Sequence, residues 1–412
     1  MKMRANLTLF LAGAHAVACQ GERHVGTDCC PCAPAGENAG ASSSASVAAP
    51  FATAAPSGSI SVTLVLRPLA YRLRPAGACS DLDGAPGHRP DPAKLEIEAS
   101  GGDACAAAAL ATVLVQSLGR PEDYARALAL AVAAQNAGVA LPPKLCVLFE
   151  LAGDRPGLAA CYETGRQERL ALMLAFGDGV PRDLARARRL ASSSPPLLRE
   201  INAVDPGAPR AAIRYCDGDR DNHANRDMYE CAIDRLVVRD YAASAGRAAA
   251  LDMIATDARV DTLRRAFLAY RDVDADRRWH SFLGGSGGIS GFCTEGLKTS
   301  LHEAYDDILQ RLAGLAPPPE ASIAELDAAG RELARAEAEA GNSEVQKLLA
   351  ALFDQEWADA HRRLLMESSH RYREFEDVVA VIAKDRLGAG AERGLRARLH
   401  SERIAALGQC PG

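Results

Sequence analysis

The segment from Cys216 to Leu312 constrains the fold of this chain more than any other part of the sequence. Apolar and aromatic residues recur there at spacings of three and four, which is the pattern of one face of an α-helix. They are Leu263, Ala266, Phe267 and Tyr270 before a glycine-rich loop, and Leu297, Leu301, Tyr305 and Ile308 after it. The segment therefore predicts two amphipathic helices, one on each side of the loop.

The motifs of this segment follow one another in an order that resembles a known family. They are CDGDRDNHANRDMYEC (Cys216 to Cys231), LRRAFLAYRD (Leu263 to Asp272), the loop FLGGSGG (Phe282 to Gly288) and a further cysteine, Cys293. Together they resemble the LprI-type lysozyme inhibitor domain, a family of small helical modules in secreted or lipid-anchored bacterial proteins. The resemblance implies an LprI-like helical module at residues 211–315.

The resemblance also implies how the cysteines of this module pair. Cys216 and Cys231 match the family's first two cysteines, and a bridge between them would contribute on the order of 3 kcal/mol in the chain-entropy model. The family's third cysteine would fall near Ala275, where this chain has no cysteine. Cys293 therefore lacks its usual mate, and Cys410 is the candidate replacement.

Two groups of residues in the module are candidates for contact with a partner. Arg271 and Asp272 follow the family's Arg-Asp motif, which either an internal ion pair or a partner contact would explain. Arg277 and Arg278 stand beside Trp279, and both residue types are favoured at protein interfaces. We therefore expect a contact surface at these three residues, with a solvated helix end as the alternative.

The chain between residues 103 and 194 has a helical and repetitive pattern. PEDYARAL (Pro121 to Leu128) aligns with PRDLARAR (Pro181 to Arg188), which lies within LALMLAFGDGVPRDLARARRLA. That longer run resembles a Sel-like repeat of the tetratricopeptide kind, in which helix pairs stack because none buries its apolar face alone. The offset between the two copies leaves room for a third, more eroded unit around residues 145–160, and the pattern predicts a short α-solenoid at residues 103–196.

The better-preserved copy contains residues suited to a tight turn between two helices. Gly177 and Gly179 can end the first helix, and Pro181 suits the first turn of the second. Asp183 places negative charge near the N-terminus of that second helix. Ala187 allows the two helices to approach closely.

The N-terminus has the pattern of an export signal. Lys2 and Arg4 form a basic region, and Leu7 to Ala14 is apolar but too short to span a bilayer. The small residues Ala16 to Ala18 then precede Cys19, and AVAC is similar to a bacterial lipobox. We expect cleavage before Cys19, lipidation of that cysteine, and a location in the cell envelope or periplasm.

Three further regions flank the modules. Residues 19–58 are rich in Ala, Ser, Gly and Pro and read as a disordered tether. Residues 59–102 contain the strand-like runs Ser61 to Leu69 and Lys94 to Ala99, which predict a small N-terminal β hairpin or edge pair. Residues 322–410 are helical, and either a degenerate second LprI-like copy or a helical hairpin packed on the module accounts for them.

Export makes the cysteine count informative, because disulfide bonds persist outside the reducing cytosol. Eight cysteines lie beyond the signal and the tether, and eight allow 105 pairings, so the sequence alone leaves the connectivity open. Cys146 and Cys161 are further disulfide candidates.

Charge and motif context disfavour several other classes. Lys and Arg number 47 against 53 Asp and Glu, so nucleic-acid binding is disfavoured. Gly284 to Gly288 satisfies G-x-S-x-G, but an Arg/Trp-rich helix precedes it where a nucleophile elbow needs a strand. His24 with Cys29, Cys30 and Cys32 could bind a soft metal, but adjacent cysteines in a Pro/Gly-rich linker rarely give a closed tetrahedral site. We therefore expect no enzyme, no metal and no cofactor.

The sequence thus predicts a mainly α-helical exported protein with two functions left open. The LprI resemblance implies a non-enzymatic inhibitor that binds a lysozyme-like muramidase, whose cleft uses a pair of carboxylates that a basic residue would suit. The rival is an envelope scaffold in which the Sel-like repeats hold a protein partner. For both functions we expect the protein to contact the membrane only through its N-terminal lipid anchor.

Overall fold

The computed structural model describes Cys79, Cys216 and residues 91–207, 225–281, 288–342, 347, 350–351 and 355–407. Within these residues the chain forms fourteen α-helices and no strand. The prediction of a mainly α-helical protein is confirmed. The expected signal peptide, Cys19, the tether, the strand-like run Ser61 to Leu69 and Cys410 all lie outside the described residues.

Eight short helices precede six longer ones. The short helices are α1 (Pro92–Ser100), α2 (Ala104–Gln116), α3 (Pro121–Asn136), α4 (Pro143–Leu151), α5 (Arg155–Tyr162), α6 (Gln167–Phe176), α7 (Leu184–Leu190) and α8 (Pro195–Asn202). The long helices are α9 (Asn225–Met253), α10 (Val260–Ser281), α11 (Gly288–Leu312), α12 (Ile323–Ala340), α13 (Gln355–Leu387) and α14 (Ala389–Leu407).

The run from Lys94 to Ala99 is helical, so its assignment to a strand was wrong. It lies inside α1, where the Asp91 side chain accepts a hydrogen bond from the Ala93 backbone N–H and Pro92 occupies the first turn. This N-cap fixes the start of a helix. Leu95 and Ala99 are then four residues apart on one buried face.

The short helices pack as consecutive pairs, α2 with α3, α4 with α5, and α6 with α7. The middle pair occupies the place expected for an eroded third unit. Ala127 and Ala187, aligned between the two copies, are both fully buried. Small side chains at these positions let the paired helices approach closely, as the sequence predicted for Ala187.

The glycine turn between α6 and α7 follows its sequence prediction in most details. Gly177 caps α6 in the left-handed conformation with φ 71°, and Gly179 has φ 67°. Asp183 is the N-cap of α7 and accepts the Arg186 backbone N–H at 2.8 Å. Pro181 lies before that cap rather than in the first turn, because α7 begins only at Leu184.

Three disulfide bonds join described cysteines. They are Cys79–Cys105, Cys146–Cys161 and Cys216–Cys231, with Cα–Cα distances of 5.5, 5.7 and 5.5 Å. The predicted pairing of Cys216 with Cys231 is therefore confirmed. The side chain of Cys293 lies outside the described residues, so its pairing with Cys410 stays a prediction.

The long helices enclose an aromatic core. Phe267 of α10 stacks on Tyr305 of α11 at 4.4 Å between ring centroids, and meets Phe375 of α13 edge-on at 5.3 Å. Both apolar faces predicted from the sequence point into this core or pack against it. The two amphipathic helices are confirmed.

Helix α9 joins the short and the long helices. Its Val237 and Tyr241 belong to the core of the short helices, while Ala250 lies in the core of the long ones. Leu118, in the connection between α2 and α3, also enters the second core and has φ 53°, a conformation that is costly for a leucine. The described helices are thus held together by shared core residues.

The C-terminal helices pack on the module that precedes them. α13 lies along α10, and α14 packs against both α12 and α13. Helix α11 ends at Leu312, and residues 317–322 are irregular, because the Pro317 to Pro319 run cannot continue a helix. Gly394 of α14 is pressed against the backbone of Pro319, where a Cβ atom would overlap the carbonyl group.

Candidate functional site

Arg271 and Asp272 of the Arg-Asp motif form an ion pair between a buried guanidinium and a carboxylate whose side chain is 35% exposed. The Arg271 guanidinium donates to Asp272 Oδ1 from Nε at 2.8 Å and from Nη2 at 2.6 Å. Its Nη1 donates to the carbonyl oxygen of Gln116, the last residue of α2, at 2.7 Å. This hydrogen bond holds α10 against α2. Because Arg271 is only 3% exposed, it is out of reach of a partner.

A buried histidine continues this network. Nη1 of Arg271 lies 3.0 Å from Nε2 of His302, and Nδ1 of His302 lies 2.9 Å from both carboxylate oxygens of Asp240. A guanidinium can only donate, so Nε2 must be the accepting nitrogen. His302 is therefore the neutral tautomer whose Nδ1–H donates to Asp240. Burial lowers the pKa of His302, and the attraction of Asp240 opposes this only in part.

The lowered pKa of His302 should make the folded protein less stable at acidic pH. Since the pKa of His302 is lowered in the folded state, the unfolded chain gains its proton first as the pH falls below about 6.5. We expect the free energy of unfolding to decrease from there down through the folded pKa. Arg271 and Asp240 contact the ring, and the charge of Arg247 also acts on the pKa of His302.

Urea unfolding at pH 7.5 and 5.5 measures the effect. The variant His302→Gln should lose less stability between these two pH values than the wild type, whereas His370→Gln, at an exposed position of α13, should leave the difference unchanged. Equal pH dependence in the wild type and His302→Gln would contradict the assignment.

A depression of about 240 Å³ opens beside this network, between α9 and α11. Its lining includes four carboxylates, and each has a basic partner. The pairs are Asp240 with His302, Asp306 with Arg247, Asp307 with Arg311, and Glu303 with Arg239. The depression is thus a polar surface of paired groups. Three of the pairs join α9 to α11, whereas Asp307 and Arg311 both belong to α11.

Arg277 and Arg278 lie in the interior, at 2% and 4% exposure, rather than on a contact surface. Both donate to the carbonyl oxygen of Ala406 near the end of α14, at 3.0 and 2.8 Å. Cations at the C-terminus of a helix satisfy its last carbonyls and oppose its dipole. The expectation of an accessible basic patch therefore fails for these two residues, and the side chain of Trp279 lies outside the described residues.

Asp274 is the anion at the centre of this arginine cluster. Its Oδ1 accepts from Arg277 at 2.7 Å, from Arg403 at 2.6 Å and from the Ser368 hydroxyl at 2.7 Å. Burial alone would raise the pKa of the Asp274 carboxyl, but Arg277 and Arg403 hold it well below its usual range. Burial, with repulsion from Arg277, lowers the pKa of Arg278 to about 10.

A second buried ion cluster lies beside the Cys216–Cys231 bridge. Arg166 donates to both oxygens of Asp234, at 2.9 and 3.2 Å, and Arg169 donates to the same carboxylate. The arginines come from the start of α6 and the aspartate from α9. The cluster therefore joins the paired short helices to the first long helix.

Sequence reasoning missed the residues that build these clusters. Arg166, Arg169, Asp234, His302 and Arg403 are all buried, although charged residues are rarely buried unless paired. One signal was present, since Arg169 directly precedes the apolar run of α6, one residue before Leu170. The other partners lie too far apart in the sequence for a local pattern to connect them.

No group of three or more His, Cys, Asp or Glu side chains in the described part of the chain is placed to hold a metal ion. No described helix is long and apolar enough to cross a membrane.

The chain matches no family model, no curated protein and no solved structure. A functional interpretation therefore rests on the geometry of its own residues.

Proposed function

We propose that this chain is an exported, non-enzymatic protein that binds another protein of the cell envelope through its paired short helices. The observation that carries the proposal is a contrast between two sets of arginines. Those of the long helices that the sequence offered for contact are buried and donate hydrogen bonds within the fold; they are Arg271, Arg277 and Arg278. Three arginines of the last short helices are exposed, whereas Arg186 of α7 is half-buried and pairs with Glu163.

The exposed arginines form a basic surface on α7 and α8, which we call the α7–α8 surface. It consists of Arg188, Arg189 and Arg199. Within the described residues, Arg189 and Arg199 have no acidic partner, and Arg188 donates only to the Asn202 side chain at 2.8 Å. Residues 181–202 contain five arginines against two acidic residues, in a chain whose net charge is -6. Such a surface suits an acidic patch on a partner.

Export is supported by the bonded cysteines. Six described cysteines are paired in three bridges. Disulfide bonds persist in secreted and periplasmic proteins and are rare in the cytosol. Together with the signal-like N-terminus and the AVAC motif, this favours an envelope protein anchored at Cys19.

Charge reversal tests the binding proposal. The purified mature chain is immobilised and exposed to a detergent extract of its native cell envelope, and bound proteins are quantified by mass spectrometry. Arg188→Glu with Arg189→Glu should weaken capture of the specific partner about tenfold, because opposed like charges cost at least 1.4 kcal/mol. Added salt should weaken capture in the same direction.

A matched control is available on another helix. Arg362 and Arg363 are also adjacent, helical and exposed, so reversing both changes the net charge by the same amount. That variant should retain the partner. Equal loss in both double variants, or capture that ignores the α7–α8 surface, would argue against the proposal.

Inhibition of a lysozyme-like muramidase is a second candidate function. It is favoured by the Cys216–Cys231 bridge and by the two amphipathic helices α10 and α11, which are the features that the LprI resemblance implied. Because Arg277 and Arg278 are buried, they do not serve as contacts with the muramidase. A turbidity assay with the full mature chain tests it: dose-dependent protection of peptidoglycan would support inhibition, and lysis at the control rate would leave the binding role.

A further inference from the structure

Two disulfide bonds of this chain close loops of equal length in different surroundings. Cys146–Cys161 and Cys216–Cys231 each span 15 residues, so the loop-closure contribution to their stability is matched. Cys146 and Cys161 are both buried in the apolar core of the short helices. Cys231 is buried as well, but Cys216 is half-buried and so reaches solvent.

The Cys216–Cys231 bridge also lies against charged groups. Nη2 of Arg169 is 3.4 Å from Cys216 Sγ and 3.7 Å from Cys231 Sγ. Oδ2 of Asp234 lies 3.7 Å from Cys216 Sγ. The guanidinium would stabilise a thiolate formed on Cys231, and the carboxylate would accept a hydrogen bond from a thiol formed on Cys216. The two sulfurs are therefore suited to different protonation states after reduction.

We propose that the Cys216–Cys231 bridge is a site of thiol–disulfide exchange with a dithiol reductant. A thiolate of the reductant attacks the accessible Sγ of Cys216, the Cys216–Cys231 bond breaks, and Cys231 leaves as a thiolate paired with Arg169. The second thiol of the reductant then loses its proton and attacks its own mixed-disulfide sulfur. Cys216 departs and takes up that proton. Two electrons pass from the reductant, which ends as an internal disulfide.

The exchange site touches the ion cluster that joins the short helices to α9. Arg169 contacts the sulfurs through Nη2 while its Nη1 donates to Asp234. A Cys231 thiolate competes with Asp234 for this guanidinium. Reduction therefore acts directly on the ion cluster between the short helices and α9. The Cys146–Cys161 bridge lies in the apolar core of the short helices instead.

Graded reduction of the oxidised full mature chain tests the proposal. The chain is treated with dithiothreitol, quenched with an alkylating agent, and each cysteine pair is quantified by mass spectrometry. Cys216–Cys231 should be reduced about 3- to 10-fold faster than Cys146–Cys161, since a leaving thiol of lower pKa departs faster. Equal rates, or faster loss of the Cys146–Cys161 bridge, would overturn the proposal.

Two variants separate the role of Arg169 from simple exposure of Cys216. Arg169→Gln should slow reduction of Cys216–Cys231 about 3- to 10-fold, because the leaving thiolate loses its cation. Arg166→Gln removes a neighbouring arginine that binds Asp234 and Glu230 but does not contact sulfur, so it should change the rate less than about twofold. The Cys146–Cys161 rate in each variant reports general loosening of the fold. Equal effects of both variants on the ratio of the two rates would refute the role of Arg169.

Discussion

Replacing Asp274 by alanine is expected to destabilise the fold by about 3–5 kcal/mol, because buried cations lose their close anion. Arg277 loses the carboxylate that it binds, and Arg403 keeps only Glu337, at 3.9 Å. Asp274 is fully buried and accepts from Arg277, Arg403 and Ser368 through one oxygen. Arg277 and Arg403 are 2% and 1% exposed, so water cannot take over the lost role of the carboxylate. Urea unfolding of the Asp274→Ala variant measures the loss.

A surface aspartate of the same helix provides the control. Asp261 is exposed in the first turn of α10, and Asp261→Ala should cost less than about 1 kcal/mol. Acid should act on Asp274 in the same sense as the mutation. Because its pKa is held low in the folded state, its contribution is present above the unfolded pKa and is lost as the pH falls through the folded one. A similar cost for both aspartates would contradict the central role of Asp274.

The helical content of this protein could be predicted from its sequence because a helix face is a local pattern. Phe267, Tyr270 and Tyr305 follow the 3.6-residue period, and all three are buried where that period places them. The bridge between Cys216 and Cys231 was also predicted from the sequence, and the two Cα atoms lie 5.5 Å apart.

The strand assignment failed because a short alternation fits two structures. In Lys94 to Ala99, Leu95 and Ile97 alternate with charged residues, which is typical of a half-buried strand. Asp91 and Pro92 lie just before the run and supply an N-cap and a first-turn residue. Those start signals outweigh the alternation, and Ile97 is consequently left 73% exposed on α1.

The predicted exposure of Arg277 and Arg278 failed for a different physical reason. Arg277 and Arg278 follow one another beside an aromatic residue, and such charged residues are usually at the surface. Their interior position depends on Ala406, Ser368 and Arg403, which come from α13 and α14 and lie far away in the sequence. A local pattern contains no information about which distant carbonyl or carboxylate will meet a guanidinium.

Removing Asp234 is the second change with a large expected effect. Asp234→Ala leaves Arg166 and Arg169, both 2% exposed, with Glu230 as the remaining acidic partner at 3.4 and 3.6 Å. We expect a loss of about 3–5 kcal/mol, because a buried cation that loses its close partner keeps its cost of desolvation. The loss should appear in urea unfolding under oxidising conditions, where the Cys216–Cys231 bridge remains intact.

A variant without charges distinguishes the ion cluster from the packing around it. Combining Arg166→Met, Arg169→Met, Glu230→Gln and Asp234→Leu removes both cations and both anions while keeping most of the volume. Replacing a whole buried ion network with apolar side chains is often neutral or stabilising, so this variant should recover most of the stability lost in Asp234→Ala. If it is as unstable as the single variant, packing at the junction of α6 and α9, and not the unpaired charge, determines the loss. If its stability recovers, the ion cluster makes the wild-type fold less stable than apolar side chains would. Such a cost is expected if Arg169 also acts on the neighbouring Cys216–Cys231 bond.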